Sequence, residues 1–390
     1  MYQLNPPQRI LLGPGPSDVH PQTLQAQALP LIGHMDPAFI QIMNEVAEML
    51  RPVFGTKNHL TLPISATGSA GMETVFVNLI EPGDKALICV NGLFGERMTD
   101  VAARCGAEVT RVEAPWGEAI DPAQVAEAIK KDKFKVVGIV HAETSTGVKQ
   151  PLEEIAKIAH DHGALFVVDC VTSIGGIPIE ADKVGIDAAY AGTQKCLSAP
   201  PGLSPVTFND RAVDVIMNRK TKVQSWYLDL SMIAKYWGGT TRVYHHTAPI
   251  SSIYAIHAAL RLIHEEGLEN VFARHAKNGL ALQKGLEAMG LKLVVENPDH
   301  RLPELTTVYV PEGIADAEVR SRLLHEYSIE IGGGLGVFAG KIWRIGLMGH
   351  SCRKRNVLLV LSALESILSG LGYKCEKGAA MAAAEAVYAG

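Results

Sequence analysis

This chain has no long apolar run: stretches such as Val136-Val137-Gly138-Ile139-Val140 are strand-length, far below the roughly 18 residues a membrane span needs. A charged-then-apolar leader pattern is missing at the N-terminus, and Tyr388-Ala389-Gly390 is not a peroxisomal SKL-type ending. The expectation is a soluble, cytoplasmic protein with no membrane partner. Long blocks of one charge are lacking too. The net charge of −5 is scattered, and no basic stripe is interleaved with the few aromatics, which make up 6% of residues, so there is no electrostatic footprint for nucleic acid. The six cysteines, Cys89, Cys105, Cys170, Cys196, Cys352 and Cys375, form no CxxC pair and read as reduced thiols rather than a disulfide framework. No HExxH motif occurs. The adjacent His245 and His246 point to opposite sides of an extended segment, so no metal site is expected.

What the chain does have is an ordinary globular composition, with 47% hydrophobic and 20% charged residues over 390 positions, enough for a large and a smaller domain. Between Leu60 and Phe208, short apolar runs at 60–65, 86–90, 108–112, 136–140, 165–169, 188–191 and 204–208 alternate with helical patterns. That alternation predicts a mostly parallel sheet with helices on both faces. Asp121-Pro122 and Gln150-Pro151 each place a proline in the first turn of a helix, 123–131 and 152–162. Helices over 253–266 and 269–289 follow, and then strands at 291–295 and 306–310 and helices at 316–327 and 356–368, read as a smaller α+β domain. The predicted division is an N-terminal segment 1–20, a large domain 21–268 and a small domain 269–390. The alanine-rich 378–386 is either a packed short helix or a loose tail.

Two residues carry most of the chemistry. Lys195 follows the strand 188–191 in Gly192-Thr193-Gln194-Lys195, and Asp169 ends the apolar run Ala164-Leu165-Phe166-Val167-Val168. Both fall at strand ends, where open α/β sheets bind ligands. A lysine amine able to form a Schiff base, with a carboxylate able to keep a pyridine nitrogen protonated, is what pyridoxal 5'-phosphate chemistry requires. Solvated lysines and capping acids are the competing account of either residue alone.

Further pieces converge on the same edge. Ser65-Ala66-Thr67-Gly68-Ser69 follows one strand and opens a helix, leaving N–H groups and hydroxyls for a phosphate, although capping alone explains such residues. Phe94 in Gly92-Leu93-Phe94-Gly95 can stack on a ring, and Thr144 in His141-Ala142-Glu143-Thr144-Ser145 can reach its phenolic oxygen. Arg344, on Trp343-Arg344-Ile345-Gly346, offers a guanidinium fork for a substrate carboxylate, where a structural ion pair is the alternative. Gly334-Leu335-Gly336-Val337-Phe338-Ala339 matches a dinucleotide motif but precedes a strand pattern, and Thr67-Gly68-Ser69-Ala70-Gly71 lacks the first glycine of a hydrolase elbow.

With these residues in place, the chain resembles the alanine:glyoxylate and serine:pyruvate aminotransferase group of the class V, fold type I pyridoxal phosphate enzymes. The resemblance runs from about Ile10 to Leu368 and rests on Gly13-Pro14-Gly15-Pro16-Ser17, Asn91-Gly92-Leu93-Phe94-Gly95, Thr193-Gln194-Lys195, Ala199-Pro200-Pro201-Gly202, Tyr244-His245-His246-Thr247, Gly332-Gly333-Gly334-Leu335-Gly336 and Arg344-Ile345-Gly346. It implies that Lys195 is the Schiff-base lysine and general acid/base, Asp169 the pyridinium partner, and Thr67, Gly68, Ser69 and Gln194 phosphate ligands. It also implies Thr144 and Phe94 at the ring, and Gly15 and Arg344 at the substrate. Tyr244 and Thr247 are implied to come from the second subunit of a homodimer. Phe94 stands where many members carry tryptophan, and Ser69 where some carry histidine. The expected reaction is transfer of an amino group from alanine or serine to glyoxylate or pyruvate. Ureidoglycine and 3-hydroxykynurenine are alternative donors; a cysteine-desulfurase-type lyase or a noncatalytic cofactor-binding protein are the rivals. Small residues at Gly13-Pro14-Gly15 and Gly332-Gly333-Gly334 suggest room only for small substrates.

Overall fold

The computed structural model describes residues 4–238 and 242–390; residues 1–3 of the N-terminal segment and 239–241 of the larger unit lie outside the described residues. Seven strands form one sheet, in the order Leu60–Ile64, Ser204–Phe208, Ala188–Tyr190, Leu165–Asp169, Val136–Val140, Lys85–Val90 and Glu108–Glu113. Only Ser204–Phe208 runs antiparallel to its neighbours. The central strands are buried along their whole length, which explains their unbroken apolar composition: helices cover both faces, so no side faces water. Fold type I, an α/β architecture built on a mostly parallel sheet, is therefore what the chain adopts.

Parallel alignment puts the carboxyl ends of six strands on one edge. Ile64, Val90, Glu113, Val140, Asp169 and Tyr190 all end there, and the segments that follow the inner ones meet above it.

Two large hydrophobic cores and two small clusters are present among the described residues. One runs from Phe39 to Val271 and packs around the large sheet; the other gathers Leu282, Leu286, Trp343, Ile345, Val360 and Leu364 around the antiparallel strands Leu305–Tyr309, Ile342–Gly346 and Gly332–Gly333. Helix Leu268–Ala288 joins them, giving Val271 to the first core and Ala281, Leu282 and Leu286 to the second. The N-terminal segment belongs with the second: Ile10–Leu11 pairs in parallel with Ile329–Glu330, and Leu12 is buried in the smaller core.

The expected strand at 291–295 does not form; Leu293 makes a single bridge to Val308. Pro151 precedes its helix, Glu153–Asp161, instead of sitting in the first turn, whereas Pro122 opens Pro122–Ile129 with Asp121 as cap. The alanine-rich end is helix Ala379–Ala389, whose Ala380 and Ala384 are fully buried against Leu268–Ala288 and Lys354–Gly370. Its short side chains let the helices approach closely. No described helix is long and apolar enough to cross a membrane.

Candidate active site

A cavity of about 230 Å³ opens at the shared strand edge, and its wall brings together Thr67, Gly68 and Ser69 with Phe94, Thr144, Asp169, Gln194 and Lys195. Each arrives for a local reason. Asp169 is the last residue of its strand, with only 3% of its surface exposed, and its Oδ1 accepts the Val171 N–H at 2.8 Å. Burial pushes its carboxyl up to about 7, partly countered by that N–H. Lys195 is 9% exposed, and burial together with the Arg344 charge lowers its amine to about 8. A lysine so displaced has a substantial neutral, nucleophilic fraction near neutral pH.

The amine donates to the Pro14 carbonyl, so the N-terminal segment lies directly over it. Ser17 clamps the lysine backbone from the same side: its N–H donates to Gln194 O at 2.9 Å and its Oγ to Lys195 O at 2.7 Å. Gly15, at φ +110°, passes so close that a Cβ would stand 2.6 Å from Lys195 Nζ.

At another part of the wall, Thr67 starts helix Gly68–Leu79 without a side-chain cap. The helix start at Thr67, Gly68 and Ser69 lines the cavity, so its positive dipole end, with the Gly68 and Ser69 N–H groups and the Thr67 and Ser69 hydroxyls, is available there. The Gln194 Oε1 is buried without a hydrogen-bond partner among the described residues. An uncapped helix start, an orphaned amide, a carboxyl held partly neutral by burial and a depressed lysine are the features expected of a site shaped for a phosphorylated pyridine aldehyde. The residues present fit that group.

Glu143 was not singled out from the sequence, yet it organises the wall. Fully buried, its Oε2 accepts from Phe94 N at 3.1 Å and Gly95 N at 3.4 Å, capping helix Leu93–Arg104, while Oε1 accepts from Ser145 N and Oγ at 3.0 and 2.6 Å. Gly92 leaves the space that Glu143 and Ser145 fill. Alternation along a strand and a glutamate in a turn give no signal for this; only the neighbouring loop does.

Arg344 sits on strand Ile342–Gly346, 7% exposed, with Nε donating to Gly333 O at 2.7 Å and Nη1 to Thr144 O at 3.2 Å. Burial lowers it to about 10, and no carboxylate pairs with it among the described residues. A buried guanidinium held by carbonyls and lacking an anion is ready for a substrate carboxylate. The Gly332–Gly334 run has a packing reason. A Cβ at Gly332 would stand 2.5 Å from Pro14 Cδ, and one at Gly334 would collide with the Phe338 carbonyl.

Tyr244 and Thr247 do not reach the cavity of their own chain. Both are exposed, Tyr244 by 56%, and their hydroxyls lie 3.5 Å apart. His246 instead hydrogen-bonds Ser65 Oγ through Nε2 at 2.7 Å, and no group of three or more metal-ligating side chains occurs among the described residues. No cysteine lines the cavity among the described residues. Cys352 is buried beside the Arg274 carbonyl, and burial pushes its thiol up to about 12, so it is no desulfurase nucleophile.

This sheet, with a buried lysine and carboxylate at its edge, defines a fold type I transferase. The aminotransferase class-V family model matches residues 22–353, and the chain belongs to that family. It is an aminotransferase, and class V aminotransferases are pyridoxal phosphate enzymes. It is 44% identical to the (S)-ureidoglycine–glyoxylate transaminase of Bacillus subtilis, over 99% of this chain and 97% of that protein. It is also 44% identical to the alanine–glyoxylate aminotransferase of Mus musculus, over 94% and 89%. The crystal structure of a Bacillus subtilis ureidoglycine–glyoxylate aminotransferase superposes with a TM-score of 0.97 at 45% identity, covering all of both chains. That of an alanine–glyoxylate aminotransferase from Nostoc sp. gives 0.92 at 48%, over 94% and 97%. A cysteine desulfurase from Thermococcus onnurineus, 17% identical with a TM-score of 0.72, shares the fold alone.

Proposed function

We propose that this aminotransferase is dependent on pyridoxal 5'-phosphate and moves the amino group of a small amino acid, alanine or serine, to glyoxylate. The observation that carries the cofactor reading is Lys195 and Asp169 buried in one cavity that also exposes an uncapped helix start. When bound, the cofactor supplies an aldehyde that condenses with amines and a ring that withdraws electrons from the substrate α carbon.

The chain's own residues do the rest. Lys195 would hold the cofactor through its amine and, with that amine free, would move the proton at the substrate α carbon as a general acid/base. Asp169 would keep the ring nitrogen protonated; burial raises its carboxyl, and a cationic ring nitrogen beside it would favour its ionised form. Thr67, Gly68, Ser69 and Gln194 take the phosphate, Phe94 covers the ring and Thr144 lies beside it. Arg344 binds the substrate carboxylate, and Gly15 leaves space at Lys195. Tyr244 and Thr247, exposed and away from their own cavity, complete the phosphate site of a second subunit in a homodimer.

Glyoxylate as acceptor is supported by the Bacillus subtilis and Mus musculus relatives, since both names contain it. Ureidoglycine as donor is a second reading, favoured by the full-length match to the Bacillus subtilis structure. The test is an absorbance titration of the loaded protein with L-alanine, L-serine, (S)-ureidoglycine and L-cysteine, each without keto acid. Conversion to the pyridoxamine form by alanine or serine, reversal by glyoxylate and silence in Lys195→Ala support the proposal. Conversion by ureidoglycine alone moves the donor, and sulfide release from cysteine overturns the transaminase reading.

A further inference from the structure

We infer that Arg97 is the cation that holds the cofactor's phosphate in this chain, an assignment that rests on the cofactor reading above. Three charged side chains line the cavity: Lys195, Asp169 and Arg97. A phosphate near neutral pH carries close to two negative charges. Asp169 is an anion or a neutral acid and cannot balance them. Lys195 would be committed through its amine nitrogen to the cofactor's aldehyde carbon, at the other end of the group from the phosphate, and would not pair with the phosphate. Arg97 is the remaining cation, and it keeps its charge throughout.

Its position fits that duty. The guanidinium lies 4.9 Å from the centre of the Phe94 ring, and Nη1 donates to Ser69 Oγ at 3.4 Å. It therefore bridges the aromatic wall and the uncapped start of helix Gly68–Leu79, where a phosphate has N–H groups and hydroxyls to meet. Stacking on Phe94 orients the guanidinium plane, leaving other N–H groups of the fork free. The base of the side chain is steadied as well, because Arg97 lies in the first turns of helix Leu93–Arg104, which the buried Glu143 anchors at Phe94 and Gly95. No acidic side chain pairs with Arg97 among the described residues, although the protein's other exposed arginines commonly have such a partner, as Arg104 has Asp100 and Arg322 has Glu326.

The consequence concerns retention. With Lys195 covalently attached, the cofactor has two tethers. In the amine form left after the first half reaction it has only its noncovalent contacts. Arg97 should therefore matter most for holding pyridoxamine phosphate.

The experiment titrates the cofactor-free protein with pyridoxal phosphate, pyridoxamine phosphate and phosphate-free pyridoxal, followed by absorbance and by quenching of intrinsic fluorescence. Wild type, Arg97→Ala and Arg97→Lys are compared. Losing a hydrogen-bonded charge weakens binding roughly tenfold to hundredfold. That loss is expected for both phosphorylated forms in Arg97→Ala, larger for the pyridoxamine form, partly restored in Arg97→Lys, and absent for pyridoxal. Because Arg97 is exposed, the melting temperature of the cofactor-free variant should match wild type. Unchanged affinity for the phosphorylated forms overturns the assignment, as does an equal loss for pyridoxal, which would make Arg97 a partner of the ring only. If the wild-type protein binds pyridoxal phosphate with no absorbance change that depends on Lys195, the cofactor reading falls and this assignment with it.

Discussion

The amine of Lys195 hydrogen-bonds the main-chain carbonyl of Pro14, and the bare Cα of Gly15 is what lets that chain segment lie so close to it. In Gly15→Ala the added Cβ would press on the lysine at a backbone φ of +110° that L side chains rarely adopt. Displacement of the reacting nitrogen by even an ångström is expected to slow cofactor capture on the order of 100-fold. Stopped-flow absorbance on mixing the cofactor-free variant with pyridoxal phosphate measures this; a wild-type rate would mean that the segment moves aside freely.

Glu143 is expected to be a stability residue as well as a support for Phe94. Glu143→Ala leaves four donors, at Phe94, Gly95 and Ser145, without their buried acceptor. The expected loss is about 2–4 kcal/mol in urea unfolding, with Glu143→Gln costing less because one side-chain oxygen remains. Equal stabilities of the three proteins would refute the capping role.

For Asp169 the pH dependence has a definite sign. Its carboxyl ionises near 3.8 when exposed and at about 7 in the cofactor-free fold, so the folded state holds a proton that the unfolded state has released. The group therefore destabilises the fold progressively between about pH 4 and pH 7, with no effect below and the full cost above. Cofactor-free Asp169→Asn should be more stable than wild type at pH 8, by up to ~4 kcal/mol, and the gap should close towards pH 4. Urea melts at the two pH values check this.

Removing the unpaired cation at position 344 should cost binding and not folding. Arg344→Met replaces a buried guanidinium that has only carbonyl partners, so the melting temperature should hold or rise. KM for amino and keto acid should increase by roughly 100-fold, in keeping with loss of a bidentate carboxylate contact, while the cofactor spectrum stays unchanged. A spectrum altered in parallel with KM would place Arg344 at the cofactor instead.

If Tyr244 and Thr247 serve the neighbouring subunit, two inactive proteins should rescue one another. Unfolding and refolding Lys195→Ala together with Tyr244→Ala/Thr247→Ala would give hybrids in which one site carries both defects and the other neither. About a quarter of wild-type activity is expected at equal mixing. No activity above the two parents would show that these side chains act elsewhere.

Much of this site is readable along the chain because it depends on local order. Asp169 and Lys195 are marked by the ends of apolar runs, Thr67 to Ser69 by a small, hydroxyl-rich helix start, and the parallel sheet by strands spaced a helix apart; parallel pairing then necessarily collects those ends on one edge. Periodicity misjudged 291–295, where a strand-like composition makes one bridge only, since a strand requires a continuous partner. What tertiary structure alone decided is which distant groups meet. Ser17 reaches the backbone of Gln194 and Lys195, Glu143 caps a helix some fifty residues earlier, and Arg344 is left without an anion although acids abound in the chain. Propensity and spacing act over a few residues, whereas burial, hydrogen-bond pairing and charge balance are settled only when the whole chain has closed around them.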